Sequence, residues 1–128
     1  MIIKQLSVFL ENRVGRTREV TRLLAGAGID ILAFSTADMI EFGVLRIVVE
    51  DVEKAQNVLK DAGFATMVTD VVSVVCPNET GALAGLLDKI AAGDISVEYM
   101  YALQHDGQAR AIIKPSDLAK CQSVLEEM

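Results

Sequence analysis

A chain of 128 residues has room for one ordinary domain or two very small ones. Its 52% of apolar residues and mean hydropathy of +0.37 fill a core with Val, Ile, Leu and Ala rather than aromatics, and a net charge of −6 leaves no basic patch for phosphates, so neither nucleic acid nor a membrane is expected as a partner. No apolar stretch is long enough to span a bilayer, Lys4, Glu11 and Arg13 break up the opening as a signal peptide, and Cys76 and Cys121 have no metal or redox spacing; the expectation is a cytoplasmic protein with no cofactor and with both thiols as apolar filler.

In chain order, Leu6, Val8 and Leu10 alternate, which predicts a strand over 5–10. Val20, Leu23, Leu24 and Ala27 fall at helical spacing and predict a helix over 16–27, closed by Gly26 and Gly28. "IDILAF" and "VLRIVV" read as two strands joined around Gly43. Residues 51–62 form a second helix with Val52, Ala55, Val58 and Leu59 inward and Gly63 as its stop. "ATMVTD" is a last strand that runs on into "VVSVVC".

The chain then repeats itself. At an offset of 66 residues Asn12 falls on Asn78, Gly15 on Gly81, Leu24 on Ile90 and Ile29 on Ile95. "GVLRIVV" at 43–49 meets "GQARAII" at 107–113 only at an offset of 64, so the second hairpin is two residues shorter; the first offset returns after Pro115. Register kept in the elements and lost in a loop is the mark of a structural repeat. Each copy reads strand, helix, strand, strand, helix, strand. The expected fold class is α+β: two ferredoxin-like βαββαβ repeats, antiparallel sheets with helices on one face, joined into one extended sheet. The repeats are placed at 1–69 and 70–128. The second runs out of sequence inside its second helix, and "MIIK" matches "MVTD", so residues 1–4 are expected to supply its fourth strand antiparallel to residues 71–76. The alternative is a frayed start and a second sheet one strand short. The face without helices would carry Phe9, Val44, Val48 and Val75, diluted by Ser7, Ser73, Arg46 and Arg110; that apolar area predicts at least a homodimer.

Asn12-Arg13-Val14-Gly15 and Asn78-Glu79-Thr80-Gly81 each sit between a first strand and a first helix. Asn is a good N-cap, so Asn12 and Asn78 are expected to start their helices. The following amides are then unpaired helix donors, and Gly lets another group approach them. A carboxylate would suit such a place. The same tetrapeptide also reads as an ordinary capped turn, with Gly needed for close packing.

"NRVGRTREVTRLLAGAGIDI" and "NETGALAGLLDKIAAGDISV" resemble the Asp/Asn-x-Pro-Gly turn, helix and "aGInI" strand of the ACT-domain family, and "FGVLRIVVEDVEKAQNVLKDAGF" resembles its third strand and second helix. The resemblance covers nearly the whole chain as a tandem pair. It implies a free-standing regulatory, allosteric module that binds a free amino acid near the Gly turn and the following strand, at an interface between units. Carried onto this chain, the ligand-binding candidates are Asn12, Arg13, Val14, Gly15, Ile31 and Leu32 in the first copy and Asn78, Thr80, Gly81, Tyr99 and Tyr101 in the second. The departures are Val14 and Thr80 where the family has Pro, and Asn where it often has Asp. Each adds a donor or removes a negative charge at the helix start. Tyr99 and Tyr101 stand where the first copy has Ala33 and Ser35, and either wall a pocket or cover a sheet edge.

Enzyme chemistry has little to stand on. The single His105 lies in "LQHDGQ", a turn, and "AGAG" at 25–28 is a helix end rather than a phosphate loop. The favoured function is an amino-acid-binding regulatory protein without a catalytic domain, acting on a metabolic enzyme or regulator; the alternatives are an interaction module working through its sheet face and, less favoured, a small acid/base enzyme.

Overall fold

Leu6, Val8 and Leu10 lie on one side of strand β1 (Ile2–Glu11) and are buried there under α1 (Arg16–Gly26) and α2 (Val52–Asp61). The computed structural model describes residues 1–37, 40–105 and 107–126, at 105 the backbone alone. The other elements are β2 (Ile31–Ala37), β3 (Phe42–Val49), β4 (Ala65–Pro77), α3 (Ala82–Ala92), β5 (Val97–His105), β6 (Gln108–Pro115) and α4 (Leu118–Glu126). The first half follows the βαββαβ order and the second follows it as far as α4, with antiparallel pairing throughout the registers of β1, β2 and β3 and of β4, β5 and β6.

Two units separate by packing. The N-terminal unit is Lys4–Thr69, and the C-terminal unit combines Met1–Ile3 with the chain from Asp70 onward. Strands β1 and β4 therefore serve both. The N-terminal sheet runs β2-β3-β1-β4 and the C-terminal sheet β1-β4-β6-β5. In the latter, Met1 and Ser73 exchange both backbone bonds: the Ser73 amide donates to the Met1 carbonyl at 2.7 Å, and the Met1 ammonium donates to the Ser73 carbonyl at 3.0 Å.

The N-terminal core joins Leu6, Val8 and Leu10 to Leu45 and Ile47 of β3, Val20 and Leu24 of α1, and Leu59 of α2. The C-terminal core repeats it with Val72, Ile113, Leu86, Ile90, Cys121 and Leu125. On the sheet face away from the helices lie Gln5, Ser7 and Phe9, and Val48 there is buried within a single chain. Val48 therefore does not belong to the wet apolar face expected from the sequence; Phe9 and Val75 do, each 43% exposed.

The helix ends explain the glycines. Gly28 and Gly63 follow α1 and α2 at φ +73° and +89°. Paired bonds seal each end: the Gly28 amide donates to the Ala25 carbonyl and the Ile29 amide to the Leu24 carbonyl, with Gly63 and Phe64 doing the same onto Lys60 and Leu59. This left-handed cap favours a residue without Cβ. At the matching place after α3 the chain has Asp94, at φ +57°, the one non-Gly residue of positive φ among those described. Gly43 does not join β2 to β3 as expected. It lies inside β3 opposite Leu10, because β1 extends far enough to pair with Phe42 and Gly43; the connection falls at 38–41, of which Asp38 and Met39 lie outside the described residues.

Candidate functional site: the Gly-capped helix starts and the clefts beside them

The two turns are built alike, but Asn caps neither helix. The residue preceding α1 is Gly15 and that preceding α3 is Gly81, at φ +86° and +87°, with no side-chain cap at either. Asn12 is tied instead to the hairpin that follows. Its Nδ2 donates to the Ile40 carbonyl at 2.8 Å and its backbone amide to the Glu41 carbonyl at 2.8 Å. The Asn78 amide likewise donates to Gly107 at 3.0 Å. Each turn is thus pinned to the hairpin that follows. Side-chain caps appear instead on the second helix of each copy. The Lys54 amide donates to Asp51 Oδ1 and the Lys120 amide to Asp117 Oδ1, each at 3.0 Å.

The i→i−4 ladder begins late, with Glu19 donating to Gly15 and Gly85 to Gly81, each at 2.9 Å. Among the described residues, the amides of Val14, Gly15, Thr17 and Arg18 have no protein acceptor, and the same holds for Thr80, Gly81, Leu83 and Ala84. Residues 12–15 and 78–81 are exposed, and a Cβ built on Gly15 or Gly81 would meet nothing within 4 Å. Both helix starts therefore present free donors to solvent, the arrangement that accepts an anion. Arg13 is held by Glu11 at 3.0 Å, an exposed pair worth about 0–1 kcal/mol.

A cleft accompanies each turn. In the N-terminal unit it measures about 430 Å³ and opens where β1 ends, β3 begins and α2 gives way to β4; Phe9, Glu11, Arg16, Phe42, Val44 and Phe64 line it. Arg16 is the first residue of α1. Its guanidinium lies 4.7 Å from the ring centre of Phe64, a cation–π contact, and its Nη1 donates to Glu19 Oε2 at 2.8 Å. Its Nε is buried and has no acceptor. The C-terminal cleft, about 240 Å³, touches its turn directly through Asn78 and Glu79, and Ala82, Leu83 and Leu103 form more of its wall.

The other sequence candidates lie apart from these clefts. Ile31 packs partly buried against the N-terminal core, while Leu32 is exposed in a β-bulge between Ile31 and Ala33. Tyr99 and Tyr101 are half-buried on β5, opposite Lys114 and Ile112 in the register; their neighbour Met100 faces the helix-side core, so the two rings lie on the other face. They line neither cleft. Thr80 and Gly81 flank the C-terminal cleft without lining it. The side chain of His105 lies outside the described residues. Cys76 and Cys121 are both unpaired and buried, and burial pushes the Cys121 thiol up from its ordinary value. Among the described residues no three His, Cys, Asp or Glu gather as a metal site, and no helix is long and apolar enough to cross a membrane.

Arg16, Phe42 and Phe64 were not singled out from the sequence, and Phe9 only as apolar surface. A signal was there: all four Phe of the chain, at 9, 34, 42 and 64, fall in the first copy and none in the second.

Comparison with known proteins agrees with this geometry. The model of the family described as an ACT domain pair matches residues 1–127. No curated protein matches. Among solved structures, protein BT0572 from Bacteroides thetaiotaomicron is 46% identical over 99% of this chain and 88% of its own, with a TM-score of 0.95. The ligand-free regulatory subunit of aspartate kinase from Thermus thermophilus is 14% identical over 98% of this chain and 91% of its own, at a TM-score of 0.74. The corresponding subunit from Thermus flavus is 12% identical over 99% and 94%, at 0.67. Two βαββαβ units with a Gly-capped turn before each first helix, matched over 127 residues by one family model, make this chain a member of the ACT domain pair family.

Proposed function

We propose that this chain is a regulatory protein that binds a free amino acid and conveys the bound state to a metabolic enzyme or regulator, without catalysing a reaction itself. The observation that carries the reading is the helix start with amides that have no protein acceptor, exposed and built twice. The ligand carboxylate would meet the amides at Val14 and Gly15, or at Thr80 and Gly81. Asn12 and Asn78 hold the turns, and Ile31 and Leu32 contribute to selectivity from the following strand. Tyr99 and Tyr101 line neither of the two clefts beside the turns, and their part in selectivity would be played through a partner subunit. A homodimer is part of the proposal, supported by the exposed Phe9 and Val75 and tested by light scattering. Two buried, unpaired thiols support a reducing, cytoplasmic setting.

The test is a melting screen against the common amino acids. A ligand that binds only the native state adds about 2.7 kcal/mol at one hundred times its Kd. If no amino acid raises the melting temperature, the proposal is wrong.

A further inference from the structure

We propose that the cleft of the N-terminal unit is the amino-acid site, that it takes a ligand with a bulky apolar side chain, aromatic above all, and that Arg16 supplies the counter-charge for its carboxylate. The inference deepens the amino-acid-binding reading and rests on it.

Among the described residues Arg16 is the only cation on the cleft wall, and its setting is that of a receptor for an anion. The ring centre of Phe64 lies 4.7 Å from the guanidinium and holds it by a cation–π contact. Phe64 itself is 4% exposed and anchored by the bond from its amide to Leu59 at the sealed end of α2. Glu19 engages Nη1 and leaves the buried Nε–H without an acceptor. The Arg16 side chain is 25% exposed, and a ligand carboxylate in the cleft would meet its guanidinium in a charge-assisted bond. The opposite wall is apolar and wet: Phe9 is 43% and Phe42 67% exposed, with Val44 beside them. A volume of about 430 Å³ falls in the roughly 300–1,000 Å³ range of small-molecule sites. Glu11 on the rim offers a carboxylate to the ligand ammonium; its present partner, Arg13, is an exposed residue that gives way at little cost.

The repeat serves as an internal control. At the offset of 66, Arg16 becomes Ala82 and Phe9 becomes Val75, and the second copy has no Phe at all. Its cleft is about 240 Å³, and among the described residues that line it there is neither a cation nor an aromatic ring. One repeat therefore carries recognition, and a chain holds a single site for this ligand.

The experiment is calorimetry on the full chain with L-phenylalanine, L-leucine, glycine and L-phenylalaninamide, which lacks the carboxylate. The expected result is one site per chain for L-phenylalanine, with weaker binding of glycine and of the amide. Arg16→Met and Phe42→Ala should each weaken L-phenylalanine by about tenfold or more, and Arg16→Lys should fail to restore it, because Lys keeps the charge without the stacked fork. Phe42 is on the exposed rim, so its variant keeps the test available if Arg16→Met does not fold. Glycine binding as tightly as L-phenylalanine, or full affinity in folded Arg16→Met, would each overturn this site while leaving amino-acid binding intact. Binding of no amino acid would overturn the underlying reading as well.

Discussion

Two glycines four residues apart isolate what backbone conformation contributes to this fold. Gly81 stands before α3 at φ +87°, and Gly85 lies inside the helix with its amide on the Gly81 carbonyl. A Cβ built on either meets nothing within 4 Å, so no steric contact distinguishes them. Replacing either by Ala removes freedom from the unfolded chain, a gain of about 0.4–1 kcal/mol common to both. At Gly85 nothing opposes that gain, and Gly85→Ala should stabilise by about 0.5–1 kcal/mol. At Gly81 the Cβ meets its own carbonyl in the left-handed region, at a cost of about 1–2 kcal/mol. The unfolded-state contribution cancels in the comparison, so Gly81→Ala should be less stable than Gly85→Ala by about 1–2 kcal/mol. Urea unfolding followed by circular dichroism measures it, and an unchanged m-value shows that the comparison is sound. Equal stability of the two variants, or a more stable Gly81→Ala, would refute the reasoning.

The caps give a second contrast: Asp51→Ala and Asp117→Ala should each cost about 1 kcal/mol, whereas Asn78→Ala, which removes no cap, should stay within about 0.5 kcal/mol by the same urea assay. The thiols give a third. Cys76 and Cys121, both buried, should react with a thiol reagent at once in urea and slowly in buffer. Because burial raises the Cys121 thiol above its ordinary value of 9.0, its contribution to stability is full below that pH and is lost as the pH climbs towards the raised native value. The parent protein should therefore lose more stability than Cys121→Ala between about pH 8 and about pH 10; equal slopes would count against it.

What could be read from the chain was local. Alternation at Leu6, Val8 and Leu10, helical spacing at Val20 and Leu24, and glycines at 28 and 63 depend on the geometry of a few neighbouring residues, and a period of 66 exposed the same order twice. The bonds between Met1 and Ser73 join residues 72 apart, where the match of "MIIK" to "MVTD" had suggested that one strand stands in for another. The misreadings came where a distant group competed with a local preference. Asn12 has the side chain of an N-cap, but its backbone amide and Nδ2 are bonded to the hairpin at Glu41 and Ile40, and Gly15 is left to start the helix. Gly43 has the look of a turn, but Leu10 gives it a place in the sheet.

The sequence by itself determined the family, the two repeats and the exposed turns, since spacing and side-chain size along the chain set strand, helix and cap. Only the tertiary structure decided which residues face one another across a cleft. Phe9, Arg16, Phe42 and Phe64 come from β1, the start of α1, the start of β3 and the turn after α2, and meet where β1 ends, α1 and β3 begin and α2 gives way to β4. No local rule places a guanidinium 4.7 Å from a ring 48 residues away; the packing of α1 and α2 on the core does.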